Sequence, residues 1–239
     1  AHAPALEALG QLYVRRHQWA PLATMLLNEV EACSDVHRRA AGHARIADIQ
    51  EKHLGNLNEA VEHHSRALGL VPGYAPSFAA LERLHIKANR YRDLVELYER
   101  AVDEAAQSDV KITYLFKIGR IYEDSLAEPG QARHAYQRIL AIEPHHLEAI
   151  HSWQRAAERA QEWTELVEAL REEAEQTHDV KRSAALLHRA GQVLDEELGD
   201  LEAAVDQHRQ VVKLLPNYQP TLRSLSDLYH RLGRWEDLL

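Results

Sequence analysis

A version of one short pattern, QEWTELVEAL at residues 161–170, returns at a fixed distance along the whole chain, and that recurrence constrains the fold more than any other feature. Tyr91, Trp19 and Trp235 stand at whole multiples of one constant step from Trp163, and each aromatic is followed three residues later by Leu22, Leu94, Leu166 or Leu238. Between these copies lies a second pattern, with Ala60, Ala132 and Ala204 at the matching place. The landmarks therefore fall at 22, 60, 94, 132, 166, 204 and 238, in steps that alternate between 38 and 34 and make a double repeat of 72. Recurrence at about 34 residues is the mark of a helical solenoid, in which each unit buries its apolar face only against its neighbours.

Each unit reads as two helices. Apolar residues recur at i, i+3, i+4 and i+7, and nothing alternates with the period of a strand. The first unit places Leu6, Leu9, Leu12 and Tyr13 on one face after Pro4, breaks near His17, and resumes from Trp19 to about Ala32. The second runs from Val36 through a break at Leu54-Gly55-Asn56, where Gly55 suits a left-handed helix cap, to Pro72. Repeats are expected at 3–35, 36–72, 75–108, 110–144, 147–179, 181–216 and 219–239, the last cut short, as one all-α array spanning 1–239. The chain opens without methionine and stops where the repeat predicts mid-helix, so it reads as an excerpt of a longer protein.

These residues resemble the tetratricopeptide repeat family. In the first repeat Leu9-Gly10, Tyr13 and Trp19 stand at that family's spacings; in the fourth, Ile118-Gly119, Tyr122, Ala132, Tyr136 and Pro144 do so with one extra residue in the turn. In the sixth, Gly191, Ala204 and Pro216 match with the same extra residue. The resemblance covers the whole chain and implies an all-α, right-handed superhelix of stacked hairpins. Departures are Glu82, Gln154 and Ser226 where a small residue is expected in the first helix, and leucine for the second-helix alanine in odd repeats. These leave the local crossing angle open.

Composition bounds function. The formal charge of −9 lacks the basic footprint of a general nucleic-acid binder. The single cysteine, Cys33, excludes internal disulfides and a cysteine-based zinc site, and late in an amphipathic helix it reads as a small core residue. No signal segment or membrane-length apolar run is visible, so a cytoplasmic setting is expected. Among 16 histidines no two lie at i, i+3 or i, i+4, the spacings that place two ligands on one helix face; adjacent His63-His64 and His145-His146 read as solvated or hydrogen-bonded, and no metal or cofactor is expected. Neither a phosphate loop nor a nucleophile motif occurs, and acidic runs such as 171–176 read as solvated faces, so no catalytic residue is assigned.

In the family that the chain resembles, first helices line a concave wall that docks extended peptides or a partner's helix. Carried residue by residue onto this chain, that wall presents Arg15, Glu51, Arg83, Lys87, Arg120, Glu123, Arg155, Arg159 and Asp195. Two readings stay open: a charge-patterned groove that selects a protein partner, or first helices that neutralise one another, Arg83 or Lys87 against Glu51 and Glu123, Arg155 or Arg159 against Glu123 and Asp195. The wall lacks the lysine-asparagine-arginine clamp for chaperone tails. The leading expectation is therefore a non-catalytic interaction scaffold. The alternatives are a spacer or self-assembling rod associating end to end, and, with less support, an RNA-processing scaffold of half-repeats, suggested by residues 91–101. Bulky Trp163 facing smaller neighbours implies an interdigitated core, and on that basis Trp163→Ala is expected to cost about 3 to 5 kcal/mol, read from a thermal melt.

Overall fold

A computed structural model describes residues 3–234 and 236. Its helices are α1 (Ala3–Arg15), α2 (Trp19–Ala32), α3 (Val36–Ile49), α4 (Leu57–Leu70), α5 (Ala75–Lys87), α6 (Tyr91–Glu104), α7 (Ser108–Ile121), α8 (Pro129–Ile142), α9 (Leu147–Ala160), α10 (Trp163–Gln176), α11 (Val180–Glu196), α12 (Leu201–Leu214) and α13 (Gln219–Leu232). Wider π-turns extend α3 over Gln50–Leu54 and α7 over Tyr122–Leu126. Among the described residues there is no strand, and the chain is an all-α helical repeat of the expected kind. The expected second helix of the seventh hairpin, with Trp235 and Leu238, lies outside the described residues. The chain divides into two compact units, Ala1–Ala106 with α1 to α6 and Gln107–Leu239 with α7 to α13.

Why the chain turns where it does is visible in the backbone. Every first helix from α1 to α13 ends in one residue of left-handed conformation. In odd hairpins this is His17, Asn89, Gln161 or Gly233, and in even ones Gly55, Ala127 or Gly199. Odd turns close with a bond spanning five residues, as from the Arg90 amide to the His85 carbonyl and from Glu162 to Ala157. Even turns span six, from Asn56 to Gln50, Glu128 to Tyr122 and Asp200 to Leu194. The extra residue seen in the even repeats is thus taken up at the end of the first helix. These bonds occupy carbonyls that a helix terminus leaves without a partner.

Packing follows the alternation. In the first unit, Leu22, Ala23, Leu26 and Val30 of α2 meet Ile46 and Ile49 of α3, and Ala47 packs with Ala60 and Leu84. In the second, Leu166, Val167 and Leu170 of α10 form one core with Ala190, Val193 and Leu194 of α11, Ala204 and Val205 of α12, and Leu225, Leu228 and Tyr229 of α13. Where an odd second helix buries leucine, an even one buries alanine with no exposure at all, at Ala60, Ala132 and Ala204. Even hairpins recover volume elsewhere: Tyr136 lies against Gly119 and His208 against Gly191, so closely that a Cβ on either glycine would fall 2.5 Å from the ring. At the odd first-helix positions that break the small-residue pattern, polar groups bond across the hairpin. The Tyr98 hydroxyl donates to Glu82 at 2.5 Å, and Gln154 donates to Glu173 at 2.8 Å.

Three expectations need correcting. Cys33 is not a core residue: it caps α2, half-buried, because the chain has already left helical geometry at ψ 131. The buried members of the described odd landmarks are Leu22, Leu94 and Leu166, while Trp19, Tyr91 and Trp163 are half-buried at the hairpin edge, where Trp19 stacks on His53 with ring centroids 3.6 Å apart. The expected cost of Trp163→Ala accordingly falls to about 2 kcal/mol, since less apolar area leaves water on folding. A further outcome comes from Ala127, the one even-turn residue with a side chain in the left-handed region, at φ 53 where its counterparts are glycines. Ala127→Gly is expected to raise stability by up to about 1 kcal/mol, the steric relief exceeding the entropy that glycine adds to the unfolded chain. A lowered midpoint in thermal or urea unfolding would contradict it.

Candidate functional site

The first-helix positions form a set of ion pairs between successive first helices. Glu51, in the π-turn after α3, accepts both Arg83 guanidinium nitrogens, at 2.5 and 2.6 Å. Its side chain is only 10% exposed, and the arginine holds its carboxyl below the usual range. One double repeat on, Glu123 pairs with Arg159 at 2.8 Å while Asp124 lies 3.3 Å from the same guanidinium. Another double repeat on, Asp195 accepts Arg231 at 2.7 and 2.9 Å. Arg159 and Arg231 sit 36 residues beyond Glu123 and Asp195, whereas Arg83 sits 32 residues beyond Glu51, one helical turn earlier and in the place Lys87 could have taken. Since the arginines are half-exposed, each pair is worth about 0 to 1 kcal/mol, but together they fix which turn of one first helix faces which turn of the next.

Glu51, Arg83, Glu123, Arg159 and Asp195 are therefore engaged with one another inside the protein. Arg15, Lys87, Arg120 and Arg155 are exposed, and among the described residues none of them has a carboxylate within ion-pair distance. Arg155 donates only to the Ser152 hydroxyl, at 3.0 Å.

Beneath this layer lie polar groups that the sequence did not mark as core. His63 and His64 are both buried, at 5% and 2%, and neither is solvated. They face different neighbours: His63 Nδ1 lies 3.0 Å from His43 Nδ1, and His64 bonds Ser77 of α5 at 3.1 Å. Two ring nitrogens at that distance require one donor and one acceptor, so His43 and His63 cannot both be protonated. Burial depresses the pKa of each. In the sixth hairpin His188 bonds Thr221 at 3.0 Å and its ring lies 5.1 Å from that of His208, whose pKa burial pushes down to about 4. Glu173, 3% exposed, gathers Gln154, His151 and Arg182 from α9 and α11. Burial works against its ionisation, but those bonds overcome it and keep its pKa below the ordinary value. The available signal was register: the double repeat sets His64, Tyr136 and His208 in one column, and an aromatic in one copy marks the column as core. Among the described residues no group of three or more His, Cys, Asp or Glu is gathered as for a metal ion, and no helix is long and apolar enough to cross a membrane.

The repeated hairpins, alternating closures and inter-repeat ion pairs define a helical-repeat protein. A family model described as "Tetratricopeptide repeat" matches residues 77–109, the span of α5 and α6, and the hairpins on either side carry the same helix-turn-helix plan. The comparison with curated proteins gives no match. Among solved structures the chain is similar to YrrB, described as a TPR protein with an unusual peptide-binding site, at 17% identity over 83% of this chain and 96% of that one, TM-score 0.34. It is also similar to pilF of Pseudomonas aeruginosa, at 16% identity over 94% and 96%, TM-score 0.36. A third, MamA, shows 18% identity over 70% and 93%, TM-score 0.39. At these scores the reading of this chain rests on its own residues.

The buried histidines give a pH prediction. His208 binds its proton less tightly folded, with pKa about 4, than unfolded, near the ordinary 6.5. Protonation therefore favours the unfolded chain: the neutral ring's contribution is complete above about pH 6.5 and is lost as pH falls from there towards 4. His208→Tyr, which copies the Tyr136 and Gly119 pairing onto Gly191, should make the melting temperature less pH-dependent across that window. Equal slopes for variant and parent would contradict the assignment.

Proposed function

We propose that the chain is a non-catalytic protein–protein interaction scaffold whose first-helix layer docks a peptide or helical segment of a partner. The observation that carries this is the division of charge within the layer. Its carboxylates Glu51, Glu123 and Asp195 are spent on neighbouring arginines, which sets the spacing between first helices. Exposed cations are left over on first helices of both units, Arg15 and Lys87 in one, Arg120 and Arg155 in the other. A protein interior does not need those charges. A polar partner surface does, because complementary charge raises the rate of encounter and excludes mismatched partners more than it adds raw affinity. Internal neutralisation and docking, which the sequence left as alternatives, thus fall on different first-helix residues. The repeats' resemblance to the tetratricopeptide family, whose members generally bind proteins, supports the same reading.

Site-directed photo-crosslinking tests it. A benzoylphenylalanine at Lys87 or Arg155, on first helices, is expected to capture a discrete partner band from the native cell extract, and one at Arg92 or Glu168, exposed on second helices, is not. Capture confined to the second-helix positions would overturn the proposal.

A further inference from the structure

We propose that the facing turns of α7 and α9, around Arg120 and Arg155, form a docking point for an acidic peptide segment of the partner protein; this deepens the proposed function and rests on it. The relative placement of the two arginines follows from the ion pair beside them. α7 and α9 run parallel, because each joins α8 antiparallel. Arg159 meets Glu123 and Asp124, so one turn earlier on both helices Arg155 comes opposite Arg120. The phenol of Tyr136, fully buried against Gly119, feels both guanidinium charges.

Nearby carboxylates do not cancel this charge. Glu123 is only 8% exposed, and its two oxygens are taken by Arg159 and by the Tyr136 hydroxyl at 3.2 Å. Asp124 is exposed but already lies beside Arg159. Arg120 and Arg155 thus stand on facing turns with no carboxylate at either guanidinium among the described residues, Arg155 donating only to Ser152, and an acidic segment would offset this local excess of positive charge.

The repeat supplies its own comparison. One double repeat on, Arg120 and Arg155 become Gln192 and Asp227. One double repeat back they become Asp48 and Arg83, with Arg83 bound by Glu51. Like charge is concentrated at this one junction of three, so the geometry is not a general consequence of the fold. Guanidinium groups suit carboxylates, which they grip through paired N–H donors. A nucleic acid fits less well, since phosphate chains need many cations along a track, and Asp124, Glu148 and Glu158 are exposed around these.

The probe is a fluorescein-labelled peptide of eight glutamates, followed by anisotropy with the whole chain, against an eight-lysine peptide and a single-stranded oligothymidylate. Expected are binding of the glutamate peptide at least tenfold tighter than of either other probe, weakening with salt, and at least tenfold loss in Arg120→Glu/Arg155→Glu. The charge-matched control Arg92→Glu/Arg100→Glu, exposed on α6, should change affinity less than twofold. Unchanged helicity and melting temperature would show that the double variant is folded. Equal loss in the control, no loss in the double variant, or tighter binding of the oligothymidylate would each overturn the inference. If the glutamate peptide fails while first-helix crosslinks to a partner persist, the acidic ligand is wrong and the docking layer stands.

Discussion

One left-handed residue at the end of each first helix is the constraint on which the hairpins depend. It reverses the chain within two or three residues while keeping the last carbonyls bonded, so the second helix returns along the first. In an α-helix one added residue rotates everything beyond it by about 100°, which would turn a buried stripe towards solvent. The even hairpins hold that residue in a widened last turn, at Gln50–Leu54 and Tyr122–Leu126. Ala60 therefore still packs with Ala47, and Tyr136 still rests on Gly119. The glycine at 55 accepts the left-handed geometry freely, whereas Ala127 holds it under steric load.

On that frame polar groups set alignment. Apolar contacts between hairpins are nondirectional and would tolerate a slip of one turn. The bidentate Arg83–Glu51 contact, the Arg159 and Arg231 pairs, and the Glu173 cluster each require one register. Their individual energies are small where they face water, but Glu173 is buried, and removing one partner there would strand a charge. The same polar groups decide which cations remain for a ligand.

Much of this was legible in the sequence because aromatic, leucine and alanine landmarks repeat in register. The hairpins, the extra turn residue and the alternation of large and small side chains all followed from Trp163, Leu166 and Ala204 and their counterparts. Burial of the aromatics did not. A tryptophan at a helix start counts the same in a pattern whether it lies inside the core or at its edge, as Trp19 and Trp163 do. Histidine was hidden for the opposite reason: His64 and His208 are polar by type, yet occupy the place that Tyr136 fills in the fourth repeat. Among the candidate site residues, the pattern narrowed Glu51 to two partners. It could not choose between Arg83 and Lys87, because the two stand one helical turn apart on the same face and only packing selects between them.

The odd and even closures have a consequence for how such a chain can change length. A five-residue closure follows a six-residue one throughout, so a single hairpin is not interchangeable with its neighbour, while a pair is. Excising residues 91–162 would join Arg90 to Trp163, an aromatic at the same helix start as Tyr91, and would keep the alternation of closures, while Glu173 would meet Glu82 where Gln154 now stands. Loss of one hairpin alone would set two even, alanine-bearing hairpins or two odd, leucine-bearing ones side by side. An array of this design keeps its alternation of closures only when its length changes by two hairpins at a time.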